Sequence, residues 1–403
     1  MSVELLAPAG NLEKAKTAIN YGADAVYIGG QEFSLRSRAS NFSIDQIHEL
    51  CEYAHAKGSK VHVTVNIIPH PSGFEGLEHY LQALDEAGID AIISASPSII
   101  TRAKKGNYHF EVHVSTQRSI LNEEAVRFWK KQGADRVVLG RETPIDAIEK
   151  ICAKDISDIE VFIHGGMCIS YSGRCVLSNH MTNRDANRGG CAQSCRWKYE
   201  LDDASGMIGN PEIPFSMSSR DLQSAYHVAQ LIRAGVVSLK IEGRMKSDYY
   251  LAVVVGAYRR LIDAIEAHPE KQVDEAFLQE IAAEIARAEN RPTGPGFYEG
   301  LPNQNVQLYT RHDEHVTQEY IALVDEVLDD GRLKVIVKNH FEDGTPVELF
   351  GPSLAPYKTT LCGITDEEGN PLSVCPHPMQ TVILNWKGPA KAGAMIRKQR
   401  IRA

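Results

Sequence analysis

Residues 111–139, EVHVSTQRSILNEEAVRFWKKQGADRVVL, contain the pattern that decides the fold. Glu111–Val114 and Arg136–Leu139 are short runs of the length expected for buried strands. Between them, Glu123–Gln132 has the apolar spacing of an amphipathic helix. A strand, a helix and a second strand at this spacing predict a βαβ unit, in which the two strands are parallel.

The same alternation continues on both sides of this unit. It predicts further strands at Glu4–Ala7, Ala25–Ile28, Val61–Val65, Ala91–Ser94, Glu160–Ile163 and Ser238–Ile241, and further helices at Leu12–Tyr21, Ile44–Lys57, Phe74–Ala87 and Thr143–Ile151. Eight parallel strands with intervening helices indicate an α/β fold, a TIM-like (β/α)8 barrel over residues 1–300. A doubly wound open sheet is the alternative that this pattern leaves open.

Beyond the barrel the pattern changes. Helical periodicity over Tyr249–Ile265 and Val273–Ala288 is followed by a break rich in proline and glycine at 291–300. Short strand-like runs separated by turn residues then follow, at Tyr320–Val327, Arg332–Val337, Thr345–Phe350, Leu361–Ile364 and Gln380–Leu384. They predict a small all-β, barrel-like domain over residues 304–403.

Composition and charge restrict the function. The chain has 403 residues and a net charge of −9, which argues against non-specific nucleic-acid binding by the whole surface. Two segments, 167–199 and 387–403, are nevertheless basic and either contact RNA or serve charge compensation and solvation. With no apolar run long enough for a bilayer and no recognisable signal peptide, we expect a cytoplasmic protein with reduced thiols and no membrane partner.

Four of the eight cysteines are clustered in one long connection. Residues 167–217 separate the strand at Glu160–Ile163 from a helix predicted to begin near Ser218, with Ser218 and Asp221 as a capping box. This insertion contains Cys168, Cys175, Cys191 and Cys195, in the spacing Cys-x6-Cys-x15-Cys-x3-Cys. Four thiolates at this spacing suit an iron–sulfur cluster, a tetrahedral zinc ion or unrelated thiols.

Polar residues follow several of the predicted strands. In a barrel these positions line one face, which carries the active site. The candidates are Asn66, Gln117, Arg141, His164, Glu242 and Arg244. Turn formation and helix capping are the alternative explanation for some of them.

Residues 160–175, EVFIHGGMCISYSGRC, resemble the signature of the collagenase-like peptidase U32 family. Further matches are HVSTQ at 113–117, CAQSCRW at 191–197, KIEGR at 240–244 and GPGFY at 294–298. The stretch NRDANRGGC at 183–191 is most similar to the tRNA 5-hydroxyuridine synthase branch of that family.

This resemblance implies a cofactor, substrates and partners. Relatives use iron–sulfur clusters in oxygen-independent hydroxylation of RNA bases or quinone precursors. The tRNA branch hydroxylates carbon 5 of the wobble uridine with prephenate as hydroxyl donor. The four clustered cysteines match the ligands of a 4Fe–4S cluster, and the implied partners are tRNA, a small dicarboxylate, and a protein of the same family or an electron donor.

The resemblance also suggests roles for individual residues. Arginine suits a dicarboxylate best, so Arg141, Arg174 and Arg244 are candidates for binding it, unless Arg141 and Arg244 pair with Glu142 and Glu242. His113 and His164 are candidates for proton transfer. Asn66 is a candidate for substrate contact, and Tyr171 and Trp197 for stacking on an extruded base.

Three other functions remain open at this point. They are hydroxylation of ribosomal RNA or a quinone precursor, metallo- or thiol-dependent peptide hydrolysis, and non-catalytic RNA binding in an assembly factor. If tRNA is the substrate, we expect the β domain to hold it through the basic tail, which comprises Lys387, Lys391, Arg397, Lys398, Arg400 and Arg402.

Overall fold

A closed barrel of eight parallel strands forms the first two thirds of the molecule. The computed structural model describes residues 2–35, 41–200, 202–203, 206–207, 215–288, 291–302, 306–308 and 317–399. The barrel strands are β1 (Glu4–Pro8), β2 (Ala25–Gly29), β3 (Lys60–Thr64), β4 (Ala91–Ser94), β5 (Glu111–Val114), β6 (Arg136–Val138), β7 (Asp158–Gly165) and β8 (Ser238–Ile241). Because β8 pairs in parallel with both β7 and β1, the sheet closes. The predicted TIM-like barrel is confirmed, and the open sheet is wrong.

Helices surround this barrel, and polar caps define where most of them begin. They are α1 (Leu12–Asn20), α2 (Ile44–Ala56), α3 (Leu77–Glu86), α4 (Pro97–Lys105), α5 (Glu123–Lys131), α6 (Ile145–Cys152), α7 (Leu177–Thr182), α8 (Val228–Ala234), α9 (Asp248–Ala267) and α10 (Glu275–Ala286). Ser43 and Gln46 form a full capping box on α2. None of the helices in the described ranges combines the length and apolar character that a membrane crossing requires.

The predicted helix start near Ser218 is wrong. Ser218–Ser219 and Asp221–Gln223 are short strands, and α8 begins only at Val228. The second of these strands pairs antiparallel with the end of β7, with Leu222 opposite Gly165. It also pairs in parallel with Thr293–Gly294. These pairings with the barrel rim outweigh the local capping signal.

The interior of the barrel contains a buried network of charges. Arg136 pairs with Glu4 at 2.5 Å and with Glu160 at 3.2 Å, and Lys240 Nζ lies 2.7 Å from Glu160 Oε1. Burial alone would raise the pKa of Glu160, but the charges of Lys240 and Arg136 outweigh it and lower the pKa to about 2. The pairs therefore compensate the charge that this layer of the barrel encloses.

A separate antiparallel sheet forms the C-terminal region. Its main strands are β9 (Gln318–Val327), β10 (Leu333–Val337), β11 (Pro346–Gly351), β12 (Leu354–Thr360), β13 (Cys362–Thr365), β14 (Thr381–Asn385) and β15 (Met395–Gln399). They lie in the order β12-β11-β15-β9-β10-β14-β13 around their own hydrophobic core. The all-β prediction is confirmed, although the sequence pattern did not predict β12 or β15.

Arg397, on β15, joins this sheet to the barrel domain. Its side chain is fully buried and donates to both carboxylate oxygens of Glu284, at 2.7 and 2.9 Å, and to Glu348. Its guanidinium also lies over the Phe350 ring, 4.4 Å from the centroid. The prediction that Arg397 belongs to an exposed basic tail is therefore wrong. Its side chain is buried between α10 and β11, whose carboxylates compensate its charge. Arg400 and Arg402 lie outside the described residues.

Arg397→Met tests how much this junction contributes. Among the described residues, the change leaves Arg287 as the remaining cationic partner of Glu284 and Glu348, at 3.1 and 2.6 Å. We expect a loss of about 3 kcal/mol in the free energy of unfolding, the lower end of the cost of breaking a buried pair. Urea unfolding followed by circular dichroism measures it, with the exposed Lys391→Met as the control. A loss below about 1 kcal/mol, the scale of a surface ion pair, would contradict the assignment.

Candidate functional site

The cysteine-bearing insertion lies over the carboxyl ends of the barrel strands. It leaves β7 at Gly165 and contains α7 and two short turns, Ala186–Arg188 and Ser194–Arg196. Residues 201, 204–205 and 208–214 of the predicted 167–217 segment lie outside the described residues. This placement puts all four clustered cysteines on the face where barrel enzymes carry their active sites.

The four thiols lie near one another. Burial raises the pKa of the Cys195 thiol to about 11, and Cys168, Cys191 and Cys175 contribute to the rise while Arg196 opposes it. Desolvation also raises the pKa of Cys168, although part of its surface is exposed, and here Arg141 and Arg196 oppose the rise. In the described ranges, no three His, Cys, Asp or Glu side chains are arranged to hold a metal ion.

The donor set nevertheless fits the predicted cofactor chemically. Four thiolates are the usual ligands of iron–sulfur clusters, and they also suit zinc. The neighbouring guanidiniums of Arg141 and Arg196 favour the anionic state that such ligands must adopt. A β-carbon at Gly166 would lie 2.8 Å from Arg196 Nη2 and 3.5 Å from Glu242 Oε2. Glycine at this position therefore lets the end of the Arg196 side chain approach the backbone just before the first cysteine, whereas Glu242 lies at an ordinary contact distance.

A pocket of about 140 Å³ opens beside Cys168. We call it the Cys168 pocket; its walls comprise Arg141, Glu142, Met167, Cys168, Ile169, Ser170, Tyr171, Ser172, Ser219, Arg220, Gly294, Gly296, Phe297, Pro302 and Val306. The hydroxyls of Ser170 and Ser219 are buried and have no hydrogen-bond partner in the described part of the chain. Such orphaned groups point to a polar ligand or to ordered water.

Two arginines supply cationic donors to the wall of this pocket. Arg141 stacks on the Phe162 ring, 3.8 Å from its centroid, and has no ion-pair partner among the described residues. Arg220 donates from Nη1 to the Thr293 carbonyl at 3.4 Å, and its Nε is buried without a partner. Both keep donors for a ligand, and bidentate arginine suits carboxylates. Arg141 was predicted at this site, whereas Arg220 and Ser219 were missed because the sequence around them resembled a helix start.

Arg244, Asn66 and Gln117 are connected by a chain of hydrogen bonds. Arg244 Nη1 donates to the Leu35 carbonyl at 3.2 Å, and the Leu35 amide donates to Asn66 Oδ1 at 2.9 Å. Asn66 Nδ2 in turn donates to Gln117 Oε1 at 2.9 Å. Because Arg244 is buried and binds oxygens of the loop after β2, the structure favours an organising role over carboxylate binding for it.

His164 is buried at the end of β7, with Tyr250 and Tyr258 on either side. Burial, reinforced by the charge of Lys246, lowers its pKa from 6.5 to about 3. The ring is therefore neutral at pH 7. Because the unfolded chain would bind this proton near pH 6.5, the buried ring lowers stability progressively as the pH falls from 6.5 towards 3.

Of the remaining predicted residues, Tyr171 lines the Cys168 pocket, whereas His113, Arg174 and Glu242 are not among its walls. His113 is fully buried inside the barrel, where Nε2 contacts Glu111 at 2.8 Å and the ring meets His62. Arg174 and Tyr171 are exposed on the insertion. Burial lowers the pKa of Arg118, and the nearby charge of Arg174 lowers it further. Glu242 is half-buried, and its carbonyl accepts a hydrogen bond from Tyr250 Oη at 2.8 Å.

Comparison with known proteins gives consistent matches over both regions. Residues 10–308 match the family model described as peptidase family U32, and residues 316–397 match that of the peptidase family U32 C-terminal domain. The chain is 46% identical to tRNA hydroxylation protein P1 of Bacillus subtilis over 401 residues, which cover 98% of this chain and 94% of that protein.

Two further relatives carry different names. A 23S rRNA 5-hydroxycytidine synthase of Escherichia coli is 40% identical over 263 residues, 65% of this chain and 40% of that enzyme. A protein named collagenase from Porphyromonas gingivalis is 35% identical over 310 residues, which cover 74% of this chain and 73% of that protein.

Proposed function

The chain belongs to peptidase family U32, and from this premise we propose that it hydroxylates carbon 5 of the wobble uridine in tRNA without dioxygen. Similarity to RNA-hydroxylating relatives supports RNA hydroxylation as the general activity. The observation that carries the proposal is the position of the arginine-lined Cys168 pocket against the four-cysteine insertion, on the catalytic face of a barrel.

The four clustered cysteines, Cys168, Cys175, Cys191 and Cys195, would hold a 4Fe–4S cluster. When bound, such a cluster supplies electron transfer at a potential set by its surroundings. Four thiolates would leave such a cluster no open position for a substrate. Substrate binding and proton movement therefore fall to side chains of the barrel rim and the insertion.

The Cys168 pocket would bind prephenate, the small dicarboxylate donor. Arg141 and Arg220 supply cationic donors for its carboxylates, and the hydroxyls of Ser170 and Ser219 supply further hydrogen bonds. Replacing the hydrogen on carbon 5 by a hydroxyl group withdraws two electrons from the base. The donor that gives up the hydroxyl group must accept those electrons, so the pocket has to hold it close to the extruded uridine.

The exposed surface of the insertion suits single-stranded RNA. The side chains of Tyr171 and Trp197 are 60% and 42% exposed, so their rings are free to stack on unpaired bases. Arg174, Arg188 and Lys198 are exposed on the same segment and can contact phosphates. In the C-terminal domain, Lys387 and Lys391 remain as exposed cations for a second contact.

Ribosomal RNA is the second candidate substrate, because the relative named 5-hydroxycytidine synthase aligns with two thirds of the chain. A gene deletion separates the two. We expect the deletion strain to lose 5-hydroxyuridine from tRNA and to keep its ribosomal RNA nucleosides, as measured by mass spectrometry of each RNA fraction. Re-expression of the chain is the control and should restore the nucleoside. Unchanged nucleosides in both fractions would contradict RNA hydroxylation and leave hydroxylation of a quinone precursor, peptide hydrolysis and non-catalytic RNA binding as the alternatives.

The cluster is tested by colour and metal content. Protein purified without oxygen should be brown, with a broad absorption band near ~400 nm and about four irons per chain, whereas zinc would leave it colourless. Cys168→Ala should lose most of this band, because one iron loses its ligand. Cys152→Ala, which removes a partly buried thiol on α6, is the matched control and should keep it. A colourless wild-type protein would contradict the cluster.

The pocket is tested by Arg220→Gln. Losing a charge-assisted hydrogen bond should raise the KM for prephenate by about 10- to 100-fold with little change in cluster content. Steady-state hydroxylation of tRNA measures KM, and the absorption band reports the cluster. Arg233→Gln, an exposed arginine on α8, is the control. An unchanged KM would place the donor elsewhere.

A further inference from the structure

Ser172 lies midway along the loop between Cys168 and Cys175, and all its polar groups are engaged by the barrel rim. It is 5% exposed. Its amide donates to Glu142 Oε1 at 3.0 Å, and its hydroxyl donates to Glu142 Oε2 at 2.9 Å. Its carbonyl accepts a hydrogen bond from the Ser119 hydroxyl. Two rim loops, the one after β5 and the one after β6, therefore hold the same residue.

Gly173, the next residue, brings the loop into direct contact with the rim. Its φ is +73°, in the left-handed region that favours glycine. A β-carbon there would lie 2.1 Å from the Gln117 carbonyl oxygen and 2.7 Å from the Gln117 α-carbon. The obstacle is backbone, which cannot move aside as a flexible side chain would. The contact between Gly173 and the Gln117 backbone thus requires glycine, and it determines how closely the loop packs on the barrel rim.

We propose that Glu142 is a positioning residue that orders the Cys168–Cys175 loop for cluster binding before the cluster arrives. Ser172 is four residues from Cys168 and three from Cys175, so anchoring it leaves only short free segments on either side. Short segments have fewer conformations to lose when both thiolates bind. The proposal rests on the proposed iron–sulfur function and assigns Glu142 a role in assembling and retaining that centre.

The hydrogen bonds of Glu142 favour a positioning role over a role in proton transfer. Each carboxylate oxygen of Glu142 already accepts a hydrogen bond from Ser172, although the residue also forms part of the Cys168 pocket wall. A hydrogen bond to an ionised carboxylate is roughly twice as strong as a neutral one. Glutamine carries no charge and has one acceptor oxygen in place of two, so it should hold the loop less tightly with similar geometry.

The test compares Glu142→Ala and Glu142→Gln in the full-length protein, with Glu149→Ala as the matched control. Glu149 is an exposed carboxylate on α6 that contacts Gln230, away from the insertion. Two measurements are made: amide hydrogen exchange of residues 168–175 in cluster-free protein, and the rate of cluster loss to a chelator followed by absorbance. We expect both rates to rise by about tenfold or more for alanine, to lie in between for glutamine, and to stay unchanged for Glu149→Ala.

Each outcome has a distinct meaning. Wild-type rates of exchange and cluster loss in Glu142→Ala would overturn the positioning role and leave the cluster intact. A wild-type protein that binds no iron or sulfide would overturn the cluster and this role together. A glutamine variant as labile as alanine, with normal exchange, would also overturn the role, because it would indicate a need for charge at the cluster. If Glu142→Ala does not fold, Ser172→Ala removes only the hydroxyl bond and should shift both rates in the same direction by a smaller factor.

Discussion

The pairing of β8 with both β7 and β1 is the constraint on which the rest of the molecule depends. In a closed parallel barrel every strand ends at the same rim, so side chains far apart in the sequence become neighbours. The loops after β5 and β6 hold Ser172, the end of β7 begins the insertion, and Arg244 after β8 reaches the loop after β2. Opening the sheet between β8 and β1 would separate Arg244 from the loop after β2, whereas β5, β6 and β7 are neighbours in either case.

The same rim contains arginines with two different tasks. Arg244 binds partners within the protein. Arg397 at the domain junction and Arg136 inside the barrel do the same. Arg141 and Arg220, by contrast, line the Cys168 pocket; among the described residues Arg141 has no ion-pair partner, and Arg220 donates to the Thr293 carbonyl. A guanidinium has five N–H groups, so the number of internal partners decides whether it organises the fold or remains available to a ligand.

Much of this arrangement could be predicted from the sequence, because hydrophobic periodicity determines local structure. The eight barrel strands were located within two residues at each end. What failed depended on contacts between distant segments. The strand at Asp221–Gln223 exists because β7 and Thr293–Gly294 pair with it, and Arg397 is buried because Glu284 and Glu348 surround it. Ser172 gave no signal, and Glu142 was considered only as an ion-pair partner of Arg141, because the contact between Ser172 and Glu142 joins two loops that are distant in the sequence.

The pairing of Leu222 with Gly165 has a consequence for how the insertion can change. The insertion leaves the barrel rim at Gly165, and the chain returns to the same point at Leu222. The pairing of these two residues therefore holds the ends of the insertion together. Lengthening a tethered loop costs little, about 0.6 kcal/mol for each doubling of its length. The part of this segment that does not contact the rim can therefore gain or lose residues while the barrel beneath it stays closed.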